Sequence, residues 1–237
     1  MADDPASALR EQAMGQAQGA MALQVAFIGV SNGLFAALAD HGPATPEELA
    51  STAGMDAGYV ARWVDAAYAF GYLAEDGERL ALTEAGRAFG GAPTSGPLPF
   101  AIHSLLGAHM SERTAHFMRT GERPGEQVLG ERETIAGLFG TMLEGLFGPV
   151  FEHQILPDLP VFKEIDAEGG TAVDLGCGNG WYLRRLARGY PNLRGIGLDL
   201  ADGAIREAAA KAEAEGTADR LAFRKGDLHD YAVTEPV

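Results

Sequence analysis

The sequence predicts an α/β fold: a helical N-terminal region followed by the first half of a doubly wound parallel sheet. Three observations predict it. Thr171–Leu175 reads as a short buried strand that turns on Gly176, Gly178 and Gly180 into a segment of helical periodicity, residues 181–188. Two more strand-like segments, 195–199 and 221–227, follow at the spacing of strand–helix–strand units, and each ends in an aspartate. Upstream, residues 1–90 alternate helix start and stop signals with one short hairpin.

In order along the chain, residues 7–39 read as one long or kinked helix, with Gly29 and Ser31-Asn32-Gly33 as the break. Its small residues, among them Gly15, Gly19, Ala22, Ala26, Gly29 and Gly33, permit close helix contact. That contact lies either with a partner chain or within this one. Thr45-Pro46-Glu47-Glu48 is a capping box with Pro at the first helical position, opening a helix to about Ala53. Asp56 caps a second helix, 57–70, which Gly71 ends. Residues 72–74 and 79–82 form a hairpin turning on Asp76-Gly77, and Thr83 starts a helical turn through Phe89.

Residues 90–97 form a linker by their Gly and Pro content. Residues 100–120 and 131–156 read as helices, broken near 121–130. The second is rich in Phe, Leu and Met; it either packs on the sheet or closes as a lid over a ligand. Residues 167–170 are the turn into the core strand, Pro191 ends the helix after the glycines, and Asp202 is expected as the N-cap of a helix over 203–215.

Composition narrows the function. The chain has 237 residues, 46% hydrophobic and 22% charged, enough for a buried core. Its net charge is −15, and the first hundred residues carry four Arg and no Lys against twelve acids. Phosphate binding runs on Lys and Arg, so this balance argues against a nucleic-acid surface. The single cysteine, Cys177, allows no intrachain disulfide and fits a reducing compartment. No metal-ligand constellation is visible. The N-terminus lacks the basic region of a signal peptide. The apolar run 17–39 is interrupted by Gln18, Gln24, Ser31 and Asn32, which favours a buried helix over a membrane span. A cytoplasmic protein is expected. His103, His109, His116 and His153 receive no catalytic role.

A strand that turns on glycines into a helix concentrates backbone N–H groups and the positive helix end at one point, as nucleotide sites require. A dinucleotide turn, G-x-G-x-x-G, needs its third glycine one residue later than Gly180; that position is Trp181. The spacing acid-x-G-x-G-x-G from Asp174 instead resembles the first motif of class I S-adenosylmethionine-dependent methyltransferases, with Asp199 and Asp227 in register at the next two strand ends. The resemblance implies a Rossmann-like domain in which Asp199 grips the ribose hydroxyls, Asp227 meets the adenine amino group and Leu200 packs on the adenine face. The implied cofactor-binding set is Asp174, Gly176, Gly178, Gly180, Asp199, Leu200, Asp227 and Leu228. It implies S-adenosyl-L-methionine as cofactor and no metal.

The helix–turn–helix and two-stranded wing before residue 90 resemble a winged helix-turn-helix. The order of modules resembles small-molecule O-methyltransferases, where that module builds a dimer and helps wall the substrate site. The implied domains are 1–90, winged-helix and dimerising; 91–166, linker and connecting helices; and 167–237, a partial cofactor domain. The expected protein is a methyltransferase acting on a small-molecule acceptor, a homodimer without nucleic-acid or membrane partners. A noncatalytic cofactor-binding protein and a winged-helix transcription factor are the alternatives. The family's sheet carries further strands beside strand one, so the natural polypeptide is expected to continue past Val237, or another chain to cover that edge. Acceptor and catalytic base are not identified.

Overall fold

The computed structural model describes residues 5–91, 96–123, 128 and 130–228. The chain divides into two compact units, Met1–Glu131 and Arg132–Val237.

In the first unit, α1 (Pro5–Ser31) and α2 (Leu34–His41) meet at 65°. The break falls at Asn32-Gly33, where Gly33 adopts φ 68°. Gly29, expected at the break, stays helical: the rings of Trp63 and Phe35 occupy the space its side chain would need. The capping box of α3 (Pro46–Ala53) forms as expected, with Thr45 N–H donating to Glu48 Oε2 at 2.9 Å and Glu48 N–H to Thr45 Oγ1 at 3.3 Å. Asp56 Oδ1 caps α4 (Ala57–Ala69) by accepting from Tyr59 N–H at 2.9 Å.

Strands β1 (Leu73–Asp76) and β2 (Arg79–Leu82) pair antiparallel, with Asp76 opposite Arg79. The turn is therefore Gly77-Glu78, one residue later than expected, with Gly77 at φ 66°. Thr83 caps α5 (Glu84–Phe89), and α6 spans Leu98–Phe117. Phe35 lies at the centre of this unit, stacked on Phe89 and edge-on to Trp63 and Tyr72. Trp63 Nε1 donates to Val25 O at 2.9 Å, which fixes α4 to α1. Burial of four large rings gives these short helices the stability that their length alone does not.

In the second unit, β3 (Thr171–Leu175), β4 (Arg194–Asp199) and β5 (Leu221–Lys225) form a parallel sheet in the order β3-β4-β5. The expected helix over 131–156 is four pieces: α7 (Glu133–Ala136), α8 (Phe139–Val150), a π-helical turn (Phe151–Ile155) and a 3-10 turn (Leu156–Asp158). Pro149 lies inside α8 and removes one ladder donor, and the backbone passes into the π turn directly after it. A further helix, α9 (Pro160–Glu168), not picked out individually in the sequence, runs two residues into the expected 167–170 turn; Gly169 ends it at φ 70°.

Helices α10 (Trp181–Gly189) and α11 (Asp202–Ala214) cross over between the strands. Leu183, Leu186, Leu193 and Leu221 form the fully or nearly buried core. The N-cap of α11 is Ala201 and not Asp202, which is the first helical residue and pairs instead with Arg206 at 2.6 Å. β3 was expected to be buried; it is half-buried because, among the described residues, β4 pairs with one of its edges only. Among the described residues no single helix is long and apolar enough to cross a membrane.

Candidate functional site

The three glycines after β3 all take left-handed backbone angles, φ 84°, 53° and 72° for Gly176, Gly178 and Gly180. Only glycine adopts that sequence of angles without strain. They divide the work. A Cβ on Gly176 or Gly178 would meet nothing within 4 Å, so these two leave an open floor. At Gly180 a Cβ would stand 2.6 Å from Phe223 and 3.0 Å from Ala208, so the third glycine lets α10 close on the sheet.

Strand β4 holds the turn in place. Gly176 and Cys177 N–H both donate to Leu198 O, at 2.8 and 2.9 Å. Gly178 N–H donates to Asp199 Oδ2 at 2.8 Å, while Asp199 Oδ1 accepts from Ala201 N–H at 2.8 Å. A carboxylate has about four acceptor positions, so Asp199 clamps the turn and retains capacity for two more donors. Gly226 N–H donates to Asp199 O at 3.1 Å, which brings the Asp227-Leu228 pair to the same C-terminal edge of the sheet. Leu200, Asp227 and Leu228 are exposed there. Sequence reading thus named groups that lie together at one sheet edge.

Electrostatics say what the turn would accept. Burial, and next the negative charge of Asp199, push the Asp174 carboxyl above the usual carboxylate range. Burial, then Asp174 and Asp199, push the Cys177 thiol up to about 12, so it stays protonated and is no nucleophile. Burial and Asp174 likewise raise the Tyr182 hydroxyl. Two carboxylates beside an open glycine floor make the site negative, which fits a ligand with positive charge.

Other buried groups beside the turn had no sequence signal read from them. Asn179 is 2% exposed in the middle of the turn; its Oδ1 accepts from Trp181 N–H at 3.3 Å. Glu144 and Arg184, both buried, pair at 2.9 Å. The available signal was the spacing Gly140, Glu144, Gly148, a lone acid between two glycines on one helical face. Among the described residues no group of three or more His, Cys, Asp or Glu could hold a metal ion.

Residues 172–236 match the family described as a methyltransferase domain. The chain is 27% identical over 202 residues to the 2-ketoarginine methyltransferase of Streptomyces arginensis, covering 85% of this chain and 52% of that one. It is 28% identical over 197 residues to the O-demethylpuromycin-O-methyltransferase of Streptomyces alboniger, covering 76% and 50%. The chain thus spans about half the length of these relatives. A solved O-methyltransferase from neocarzinostatin biosynthesis, in complex with S-adenosyl-L-homocysteine and 1,4-dihydroxy-2-naphthoic acid, superposes with a TM-score of 0.62 at 22% identity, over 92% of this chain and 67% of that one. The turn at Gly176–Gly180 therefore lies within the stretch that matches a methyltransferase domain, in a chain that shares the fold of a solved O-methyltransferase.

Proposed function

We propose that the protein is an S-adenosyl-L-methionine-dependent methyltransferase acting on a small-molecule acceptor. The observation that carries this reading is the open glycine floor flanked by Asp174 and Asp199, a negative site matched to a cationic sulfonium nucleoside. When bound, the cofactor supplies an electrophilic methyl group. The chain's part is to bind and orient it. Gly176 and Gly178 admit it against the backbone, Gly180 closes the helix behind, and Asp199 has acceptor positions left for ribose hydroxyls. Asp227 takes the adenine amino group, and exposed Leu200 and Leu228 offer apolar surface to the ring. Methyltransferase relatives with small-molecule names and the naphthoic acid bound to the structural neighbour support a small acceptor. Holding such an acceptor in line with the methyl group supplies much of the acceleration.

The same proposal assigns residues 1–90 to a winged-helix, dimerising module, 91–166 to connecting helices and 167–237 to the cofactor domain, in a cytoplasmic protein. Two features support the dimer. Residues 6–19 of α1 are exposed on every face, and an isolated helix of that length is marginal in water. An apolar cavity of about 480 Å³ on the same unit is lined by Trp63, Ile28 and the 79%-exposed Tyr59, with Asp56 and Arg62 among its polar groups. Arg10 and Glu11, the only charged residues of α1, complement those two.

Calorimetry with S-adenosyl-L-homocysteine tests the cofactor reading. Hydrogen bonds to a charged acceptor contribute about 1.5–3 kcal/mol, so Asp199→Ala is expected to weaken binding roughly tenfold to a hundredfold. Unchanged affinity with the fold intact removes Asp199 from the site, and no binding by the wild-type chain removes the function.

A further inference from the structure

We propose that Gly140 and Glu144 of α8 are positioning residues for the glycine turn: they seat the buried carboxamide of Asn179, and through it the Gly178–Trp181 backbone. The relevance of that backbone to a cofactor rests on the function proposed above; the seating itself rests on contacts within the second unit.

Asn179 joins the turn to α10. Its Oδ1 accepts the Trp181 N–H, one of the donors that the first turn of a helix leaves unpaired. Its Nδ2 is fully buried and has no hydrogen-bond partner among the described residues. The carboxamide is therefore placed by shape on that side and not by a bond. The shape is supplied by α8. A Cβ on Gly140 would stand 2.9 Å from Asn179 Cγ, 3.0 Å from Nδ2 and 3.1 Å from Cβ. No side chain fits between the helix and the turn.

The same face of α8 continues at four-residue spacing. Glu144 follows one turn on, and Gly148 one turn further, where a Cβ would lie 2.5 Å from the guanidinium carbon of Arg185. Glu144 Oε2 accepts from Arg184 Nη2 at 2.9 Å and lies 3.8 Å from Lys211 Nζ, while Oε1 lies 3.6 Å from Arg185 Nη2. Arg184 pairs in addition with Glu215, and Arg185 with Glu152 at 2.5 Å. The carboxylate thus ties α8 to α10, which begins at the turn, and to α11, which begins just after Asp199.

Two considerations separate positioning from plain packing. A buried ion-pair cluster often stabilises no better than apolar residues of equal volume, so its place on this face fits a role in fixing how α8 seats against α10. Glycine also weakens a helix interior relative to alanine, and α8 carries it at both positions of closest approach. The helix gives up intrinsic stability where contact with Asn179 and Arg185 demands it. It follows that α8 moves with the turn as a fixed wall, and is not a lid hinged over it. Its exposed Phe147 is carried on that wall.

The test is amide hydrogen exchange on the full chain without ligand, together with calorimetry using S-adenosyl-L-homocysteine. Gly140→Ala is expected to speed exchange at the Gly178 and Trp181 amides about tenfold and to weaken binding about tenfold. On an Asn179→Ala background the same substitution is expected to add much less, because the carboxamide it displaces is gone and only the Cβ contact at 3.1 Å remains. Gly148→Ala, against Arg185 and away from the turn, is expected to lower the melting temperature while leaving the turn's exchange unchanged. Glu144→Gln preserves shape and is the second variant should Gly140→Ala fail to fold; faster exchange at both amides is expected there too. If Gly140→Ala or Glu144→Gln lowers only the melting temperature, the proposal is overturned and the face is packing alone. If exchange responds as stated but the wild-type chain binds no ligand, the positioning stands and the proposed function falls.

Discussion

In α1, a Cβ on Gly15 or Gly19 would meet nothing within 4 Å, and every residue from 6 to 19 is exposed. In α8, Gly140 and Gly148 leave no room for a Cβ at all, and the residue between them, Glu144, is buried. Both helices carry glycines on one face, four residues apart in α1 and eight apart in α8. The difference shows that such spacing permits close approach without specifying the partner. Gly29, in the same helix as Gly15 and Gly19, makes the point within one element: it packs under Trp63 and Phe35, ten residues from a glycine that touches nothing. What decides is whether another part of the chain supplies the opposite surface.

The comparison is broken most directly at Glu144. Removing one partner of a buried ion pair costs about 3–5 kcal/mol, because the remaining charge is left uncompensated. Glu144→Ala is therefore expected to lose stability toward the low end of that range, since Arg184 and Arg185 keep Glu215 and Glu152. Urea unfolding followed by Tyr and Trp signals from the second unit measures it. A loss of the few tenths of a kcal/mol typical of an exposed pair would place Glu144 with the solvated charges of α1.

These contacts were the part of the molecule least legible in its sequence. Thr45, Asp56 and Thr83 announce their helices because a cap acts on N–H groups two or three residues away, so its signal is local. The glycine turn was legible for the same reason: left-handed angles at three alternating positions leave few residues to choose from. Glu144 and Arg184 lie 40 residues apart, and nothing in either neighbourhood names the other. Helix α9 had local marks, with Pro160 at its start and Gly169 at its end, but at nine residues it is too short for its apolar residues to show a clear period. The hairpin slipped by one residue because Asp76 pairs with Arg79, a choice between adjacent turns that differ little in local preference.

A second carboxylate sharpens the contrast inside the second unit. Glu144 is surrounded by cations, whereas Asp174 faces Asp199, and burial and that charge raise its pKa. The folded state thus holds the Asp174 proton to higher pH than the unfolded chain does. Across the window from the ordinary carboxylate value up to the raised one, this group makes stability fall as pH rises. Asp174→Asn abolishes that titration. The variant is expected to gain on wild type progressively from about pH 4 upward, and to keep a constant advantage once the wild-type group is fully ionised. Paired urea titrations over that range check it; an advantage that shrinks with rising pH would show that the charged form is favoured by the fold.

The smallest effect tests the open face of α1. In a solvated helix, alanine is favoured over glycine by about 0.5–1 kcal/mol per position, so Gly15→Ala and Gly19→Ala should each raise helicity in a dilute, monomeric sample. If a second copy of the chain covers this face, as proposed, the added methyl groups hold the two surfaces apart. Packed interfaces tolerate inserted methyl groups poorly. The double variant is then expected to be more helical as a monomer yet several-fold weaker in self-association. Sedimentation equilibrium and far-ultraviolet circular dichroism on the same samples separate the two effects. A variant that gains helicity and associates as well as wild type would assign Gly15 and Gly19 to solvent and move the interface elsewhere on the N-terminal unit.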